Sequence, residues 1–268
     1  MWNRWKIAQS KELDCWVGNK DKIQSAKYQA AKLKFWQGTL ESCGLDPDSA
    51  DIKTKKVLDV GCGPAGSFIL IDKNPDYWCV DPLMDSYLEQ FPQIKQHEVK
   101  FFNQKLEDFR TDRRFDIILG FNCLDHVDNL SAAMDKIKEL SHPSTQIIIS
   151  LNVHNYNWLQ KILARFSPIL DRLHKYQYTS QQYKSMLVDK GFCLIKEFSA
   201  DSLWKELEDS LADFNVSHKS FWNYLRFSPG KWFFGLLGLL GIAREGYQNP
   251  GNPSVYSVRC FILKPNED

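Results

Sequence analysis

The sequence predicts an α/β chain: a seven-stranded, mostly parallel sheet with helices on both faces, an N-terminal helical cap and a helical insertion before the last strand. Two observations carry that expectation. Short apolar runs of strand length recur at 57–60, 76–81, 97–103, 114–121 and 145–151, and segments of helical character separate them. The first run also passes directly into a glycine-rich turn, Gly61-Cys62-Gly63-Pro64-Ala65-Gly66. Glycine permits positive φ and carries no Cβ, so a ligand can lie directly against such a turn.

Composition narrows the function classes. With 268 residues, one domain with additions is expected. The 34 basic and 33 acidic residues nearly cancel, so nothing demands a broad nucleic-acid footprint. Seven scattered cysteines without a Cys-x-x-Cys pair point to reduced thiols in a cytoplasmic protein and give no zinc site; no metal-ligating set is read from the spacing. Residues 1–11 interleave Trp and Lys and lack the apolar core of a secretory signal. The longest apolar stretch, 232–243, falls short of the ~20 residues that cross a bilayer. A cytoplasmic protein, peripheral at a membrane at most, is expected.

In chain order, residues 1–52 read as a helical cap. Ala26, Ala30, Ala31, Leu33 and Leu40 recur near helical spacing, and Trp2, Trp5 and Trp16 precede them on a segment that packs on the core or covers a cleft. Gly44-Leu45-Asp46-Pro47 stops that region, and the core domain is placed at 53–268. Val57, Leu58, Asp59 and Val60 form the first buried strand, and 67–71 are expected to open a helix whose N-terminal amides face a ligand. No lysine followed by Ser or Thr ends the turn, which excludes a P-loop.

The second run ends at Asp81-Pro82, where a carboxylate can accept two hydrogen bonds from a ribose diol or cap a helix. Lys105-Leu106-Glu107-Asp108-Phe109 follows the third run. The fourth, with Asp116 at its entry, continues into Asn122-Cys123-Leu124-Asp125-His126-Val127. A helix is expected over 129–140, a fifth strand over 145–151, and helices over 157–175 and 179–190, the latter stopping at Gly191. Residues 192–198 and 255–264 alternate as strands six and seven.

Asp59-x-Gly61-x-Gly63, Asp81 about twenty residues later and the Leu-Asp-His-Val stretch together resemble the class I S-adenosylmethionine-dependent methyltransferases of small-molecule type. The resemblance covers 53–198 and the last strand. It implies a Rossmann-like sheet with an antiparallel edge, and S-adenosylmethionine as cofactor. By the same resemblance, Asp59, Gly61, Cys62 and Gly63 form the first cofactor turn. Asp81 takes the ribose, Pro82 and Leu83 adjoin the adenosine, and Asp108 with the backbone of Leu106 or Glu107 meets the adenine edge. Phe121 and Asn122 face the methionine end. Two departures stand out: Ala65 occupies the usual third glycine position with Gly66 after it, and Asp125 stands where glutamate is more common.

His126 and His154, each after a strand, are candidate general bases, with packing roles as the alternative for both. The expected reaction is methyl transfer to a small-molecule or lipid-linked acceptor, on O, N or C. The Asn/Asp-Pro-Pro-Tyr/Phe run of amino-directed DNA enzymes and the Pro-Cys of cytosine enzymes are absent, so nucleic acid is not the expected substrate. Lys161, Arg165, Arg172 and Lys175 leave a macromolecular acceptor as an alternative, beside a non-catalytic S-adenosylmethionine-binding partner subunit and an NAD-dependent oxidoreductase. The insertion, 200–254, carries the apolar 232–243 between Lys231 and Arg244. It is read as a substrate lid, a dimer surface or a peripheral membrane contact over 231–244.

Overall fold

A computed structural model describes residues 4–71, 74–170, 174–212 and 254–266. The chain opens with helices α1 (Arg4–Gly18), α2 (Lys20–Gln24), α3 (Ala26–Ser42) and α4 (Ala50–Thr54). Ser25 starts α3 by accepting a hydrogen bond from the Tyr28 amide at 3.2 Å, which satisfies one of the amides a helix start leaves free.

The strands are β1 (Val57–Val60), β2 (Tyr77–Val80), β3 (Lys100–Phe102), β4 (Phe115–Phe121), β5 (Ser141–His154), β6 (Phe192–Ser199) and β7 (Tyr256–Pro265). Between them lie α5 (Met84–Gln90), α6 (Leu130–Glu139), α7 (Asn157–Leu170), α8 (Ser180–Asp189) and α9 (Asp201–Ser210). They form one seven-stranded sheet in the order β3-β2-β1-β4-β5-β7-β6. β7 runs antiparallel to both its neighbours and the remaining pairs are parallel. Strand order reverses between β1 and β4, which opens a crevice at their carboxyl ends.

Strand alternation builds two apolar layers. Val57, Ile117, Leu119, Ile148 and Ile262 face a layer with Phe35 and Trp36 of α3 and Met84 and Tyr87 of α5. Leu58, Val60, Ile118, Ile147, Ile149 and Phe261 face the other, with Met134 and Ile137 of α6 and Tyr183 and Leu187 of α8. Burial on both faces explains why the central strands β1, β2 and β4 read as continuous apolar runs.

Two local expectations are corrected. The helix expected after the glycine turn is instead a pair of 3-10 turns, Gly63–Ala65 and Ser67–Ile69. Gly63 sits at φ +56, Pro64 offers no amide proton, and Gly66 is extended at ψ −179, so no α-helical ladder can form. The fifth strand runs through 154 rather than ending at 151, because β7 pairs with it continuously from Ile147 to His154.

The described start of the insertion is α9, which packs on α3 with the Trp204 and Phe35 rings 4.8 Å apart. Residues 213–253, with the apolar 232–243 and the whole of 231–244, lie outside the described residues, as does Trp2. Among the described residues no helix is long and apolar enough to cross a membrane.

Candidate functional site

The crevice between β1 and β4 holds a pocket of about 550 Å³, part of it open to solvent. Most of its lining comes from strand ends and the segments after them. β1 supplies Val60 and Gly61, β2 supplies Val80 with Asp81 and Pro82 beyond it, and β4 leads to Asn122, Cys123, His126 and Val127. Lys105, Leu106 and Glu107 follow β3, while Trp5, Gln9 and Glu12 of α1 close the remaining side.

Gly61 allows the two central strands to approach. Its φ is +62, and a Cβ there would lie 2.4 Å from the Cys123 Cβ, so both the backbone and the neighbour exclude a side chain. Gly66 accounts for the displaced third glycine: a Cβ there would stand 2.5 Å from the Cys62 carbonyl oxygen. Ala65 meanwhile is buried and its carbonyl accepts from the Trp36 indole at 2.9 Å.

Asp81 is the electrostatic centre of the pocket. One carboxylate oxygen accepts from the Gly63 amide at 3.0 Å and the other from the Leu83 amide at 2.8 Å. Those bonds tie the glycine turn to the end of β2, and they hold the turn after Asp81 so that α5 starts at Met84. A carboxylate has about four lone-pair sites, so two remain for a ligand. Burial pushes the Asp81 pKa up to about 7, against the pull of the Leu83 amide and with help from Glu12 nearby.

Asp59 lies beneath the turn rather than in the pocket. Its Oδ2 accepts from Ser67 at 3.0 Å and from the Tyr77 hydroxyl at 2.8 Å, and those two hydroxyls are 2.7 Å apart. Burial raises the Asp59 pKa to about 6, against the pull of the Tyr77 and Ser67 hydroxyls, which favour the carboxylate.

Asn122 takes φ +52, a rare conformation for a residue other than glycine. It is held there by its amide donating to Ser150, and by the Asn152 side chain donating to its Oδ1 at 2.7 Å. Strained backbone of this kind collects at functional sites. On the far wall, Lys105 reaches Asp128 at 2.8 Å and lies 4.0 Å from the centre of the Trp5 ring. Glu107 accepts from the Asn129 amide at 2.9 Å.

The structure brings seven of the expected residues to this pocket: Gly61, Asp81, Pro82, Leu106, Glu107, Asn122 and His126. Asp59, Cys62, Gly63, Leu83, Asp108 and Phe121 stand around it without lining it; the Phe121 ring packs on Trp36 at 5.1 Å. His154 is elsewhere. It is buried, its ring lies 4.6 Å from that of Tyr256, and its amide donates to the Tyr178 carbonyl. Sequence reasoning named Trp5 only on a segment that packs on the core or covers a cleft, and missed Gln9, Glu12 and Lys105 as pocket residues. The recurrence of Trp5, Gln9 and Glu12 at i, i+4 and i+7 is the one signal that would have placed them on a single helix face.

Known proteins share this fold. A family model described as a methyltransferase domain matches residues 33–219. Among solved structures, the YcgJ protein of Bacillus subtilis aligns with 88% of this chain and 99% of its own, at 13% identity and TM-score 0.54. A putative sarcosine dimethylglycine methyltransferase from Galdieria sulphuraria aligns over 87% and 85%, at 13% identity and TM-score 0.57. An O-methyltransferase of a polyketide synthase multienzyme of Brevibacillus brevis, solved with S-adenosyl-L-homocysteine, aligns over 81% and 69%, at 16% identity and TM-score 0.51. At these identities the structural likeness speaks for the fold.

Proposed function

The chain belongs to the methyltransferase-domain family, and on that premise we propose that it transfers the methyl group of S-adenosylmethionine to a small-molecule or lipid-linked acceptor in the pocket between β1 and β4. The observation that carries this reading is Asp81. It is a buried carboxylate at a strand end, fixed by the Gly63 and Leu83 amides, with two lone-pair sites left for a ribose diol.

The donor supplies an already activated methyl group, so the protein's work is orientation and exclusion of water. The residues present suit a cationic donor. Asp81, Glu12 and Glu107 border the pocket, while the charge of Lys105 is met by Asp128. Leu106, Val60 and Val80 provide apolar surface beside the acids. Of the two expected bases, His126 borders the pocket and is the residue to meet the acceptor. The name of the compared Galdieria sulphuraria protein mentions small substrates, a Burkholderia thailandensis N-methyltransferase is described with bound 1,6-didemethyltoxoflavin and S-adenosylhomocysteine, and a protein from Haemonchus contortus is described with phosphomonomethylethanolamine and S-adenosylhomocysteine. That supports the same class of acceptor here.

The test is calorimetric titration of S-adenosylmethionine, S-adenosylhomocysteine and NAD into the wild-type chain and Asp81→Ala. Micromolar binding of the first two, about −8 kcal/mol, weakened by the substitution, is the expected result. A folded sample that ignores both, or prefers NAD, overturns the proposal.

A further inference from the structure

Behind the pocket wall, a carboxylate and two imidazoles converge from distant parts of the chain. Asp125 and His126 follow β4, while His174 comes from the segment before α8. Their candidate donor atoms all lie within 4.8 Å of one another. His126 Nε2 is 3.8 Å from Asp125 Oδ1, His174 Nε2 is 3.9 Å from Asp125 Oδ2, and the two rings are 4.6 Å apart.

The arrangement is incomplete as it stands. The Asp125 side chain is 1% exposed, yet its Oδ1 has no hydrogen-bond partner among the described residues. Among the described residues, the only hydrogen-bond contact of Oδ2 is a long one of 3.4 Å from Asn152. Both imidazole separations exceed hydrogen-bond length. A buried carboxylate left this way calls for a compact positive charge between the three groups. The backbone holds the frame: the Lys175 and Tyr176 amides donate to the Asp125 carbonyl, which fixes His174 against the loop after β4.

We propose that Asp125, His126 and His174 bind a divalent first-row transition cation. Donors around one tetrahedral zinc ion, at bond lengths of about 2.0–2.2 Å, stand roughly 3.3 Å apart. The three groups therefore need to close by at most about 1.5 Å to meet a common ion. Two imidazoles and one carboxylate select a transition metal over magnesium, which prefers an all-oxygen shell. Three protein donors leave a position open on the ion. Because His126 is also a wall of the pocket, that position serves an oxygen or nitrogen of the acceptor. With the cation in place His126 is a ligand rather than a base. Held by Asp125, His126 and His174, the cation would supply Lewis acidity to an acceptor hydroxyl, whose proton would pass to solvent.

The cation site does not rest on the methyltransferase reading, although the acceptor's place on it does, and its test separates the two. After dialysis against a chelator, the full chain is titrated calorimetrically with Zn²⁺ and with Mg²⁺, and Co²⁺ uptake is followed by visible absorption. Wild type is expected to take one equivalent of Zn²⁺, to ignore Mg²⁺, and to give a Co²⁺ spectrum without thiolate charge transfer. His174→Ala, a truncation at a partly exposed ring, and the isosteric Asp125→Asn are expected to weaken uptake by about tenfold or more. No uptake, or uptake unchanged in both variants, overturns the site. S-adenosylmethionine titrated into the same samples reports on the cofactor pocket independently. Cation uptake without cofactor binding would uphold the cation site while striking the methyltransferase reading.

Discussion

Asp81 shows how a single residue connects sequence, burial and function. Its carboxyl is pushed up to about 7 by burial in the free protein, whereas a ribose diol donating to it favours the ionised form. The sign follows from linkage: a group whose pKa falls on binding makes affinity rise with pH until the free-state pKa is passed. Between pH 6 and pH 8, affinity for S-adenosylmethionine is expected to rise about tenfold, close to 1.4 kcal/mol. Titrations at the two pH values check it, and the rise should vanish in Asp81→Asn. A flat wild-type profile would contradict the assignment. Gly61 offers a second check, because a Cβ would meet Cys123 at 2.4 Å on a backbone at φ +62. Gly61→Ala is expected to destabilise the fold by about 2–3 kcal/mol. Gly18→Ala, with nothing within 4 Å, should leave the urea midpoint nearly unchanged. Both Asp81 and Gly61 were legible in the sequence, because a strand end followed by Gly or Pro is a local pattern. The positive φ of Asn122 was not, since it depends on Ser150 and Asn152 in a neighbouring strand.

At the scale of elements, the sequence yields strands more faithfully than what lies between them. β3 at the edge is only partly buried, whereas the central strands β1, β2 and β4 are largely buried on both faces and announce themselves as apolar runs. The link after β1 does not, because its path is set by Gly63, Pro64 and Gly66 rather than by apolar periodicity. His154 was expected over the pocket because the fifth strand was read as ending at 151. Pairing with β7 carries the strand on and takes His154 to Tyr256 instead. The helix α1 was recognisable as a helix, but its facing was not. Its wall of Trp5, Gln9 and Glu12 is a contact made across the whole domain. Trp5 lies against Lys105 with 4.0 Å from Nζ to the ring centre, and it shields that side of the pocket from water. Trp5→Ala is expected to weaken S-adenosylmethionine binding about five- to tenfold, near 1 kcal/mol. Its thermal midpoint should stay close to that of wild type. Binding unchanged in a folded variant would reduce α1 to a packing element.

For the molecule as a whole, the resemblance that organises the core is silent on how the N-terminal cap meets the insertion, and the structure places a buried lysine at that junction. Lys32 of α3 is 6% exposed. Its Nζ stands 4.7 Å from the ring centres of Phe35 and Trp36 and 5.8 Å from that of Trp204 on α9. Burial drives its pKa down to about 7, although the ring faces oppose that push by favouring the ammonium. In the unfolded chain the same amine titrates near 10.4. Between those values the unfolded state binds the extra proton, so this group makes stability rise with pH from about 7 to about 10. Asp59 and Asp81 act with the opposite slope at lower pH. Their raised folded pKa values make stability fall as pH climbs from about 4 towards 6 and 7. The three groups together place a trough in stability close to neutrality, and a ligand that favours ionised Asp81 relieves part of it. From pH 7 to pH 9 Lys32 alone should add roughly 2 kcal/mol. Urea unfolding of wild type and Lys32→Met at both pH values isolates the effect, because subtraction removes every other titrating group. The variant should be the more stable protein at pH 7, and the gap should narrow by about that amount at pH 9. A gap that does not change with pH would mean that Lys32 stays protonated among its rings and that the cap and insertion are joined through a cation.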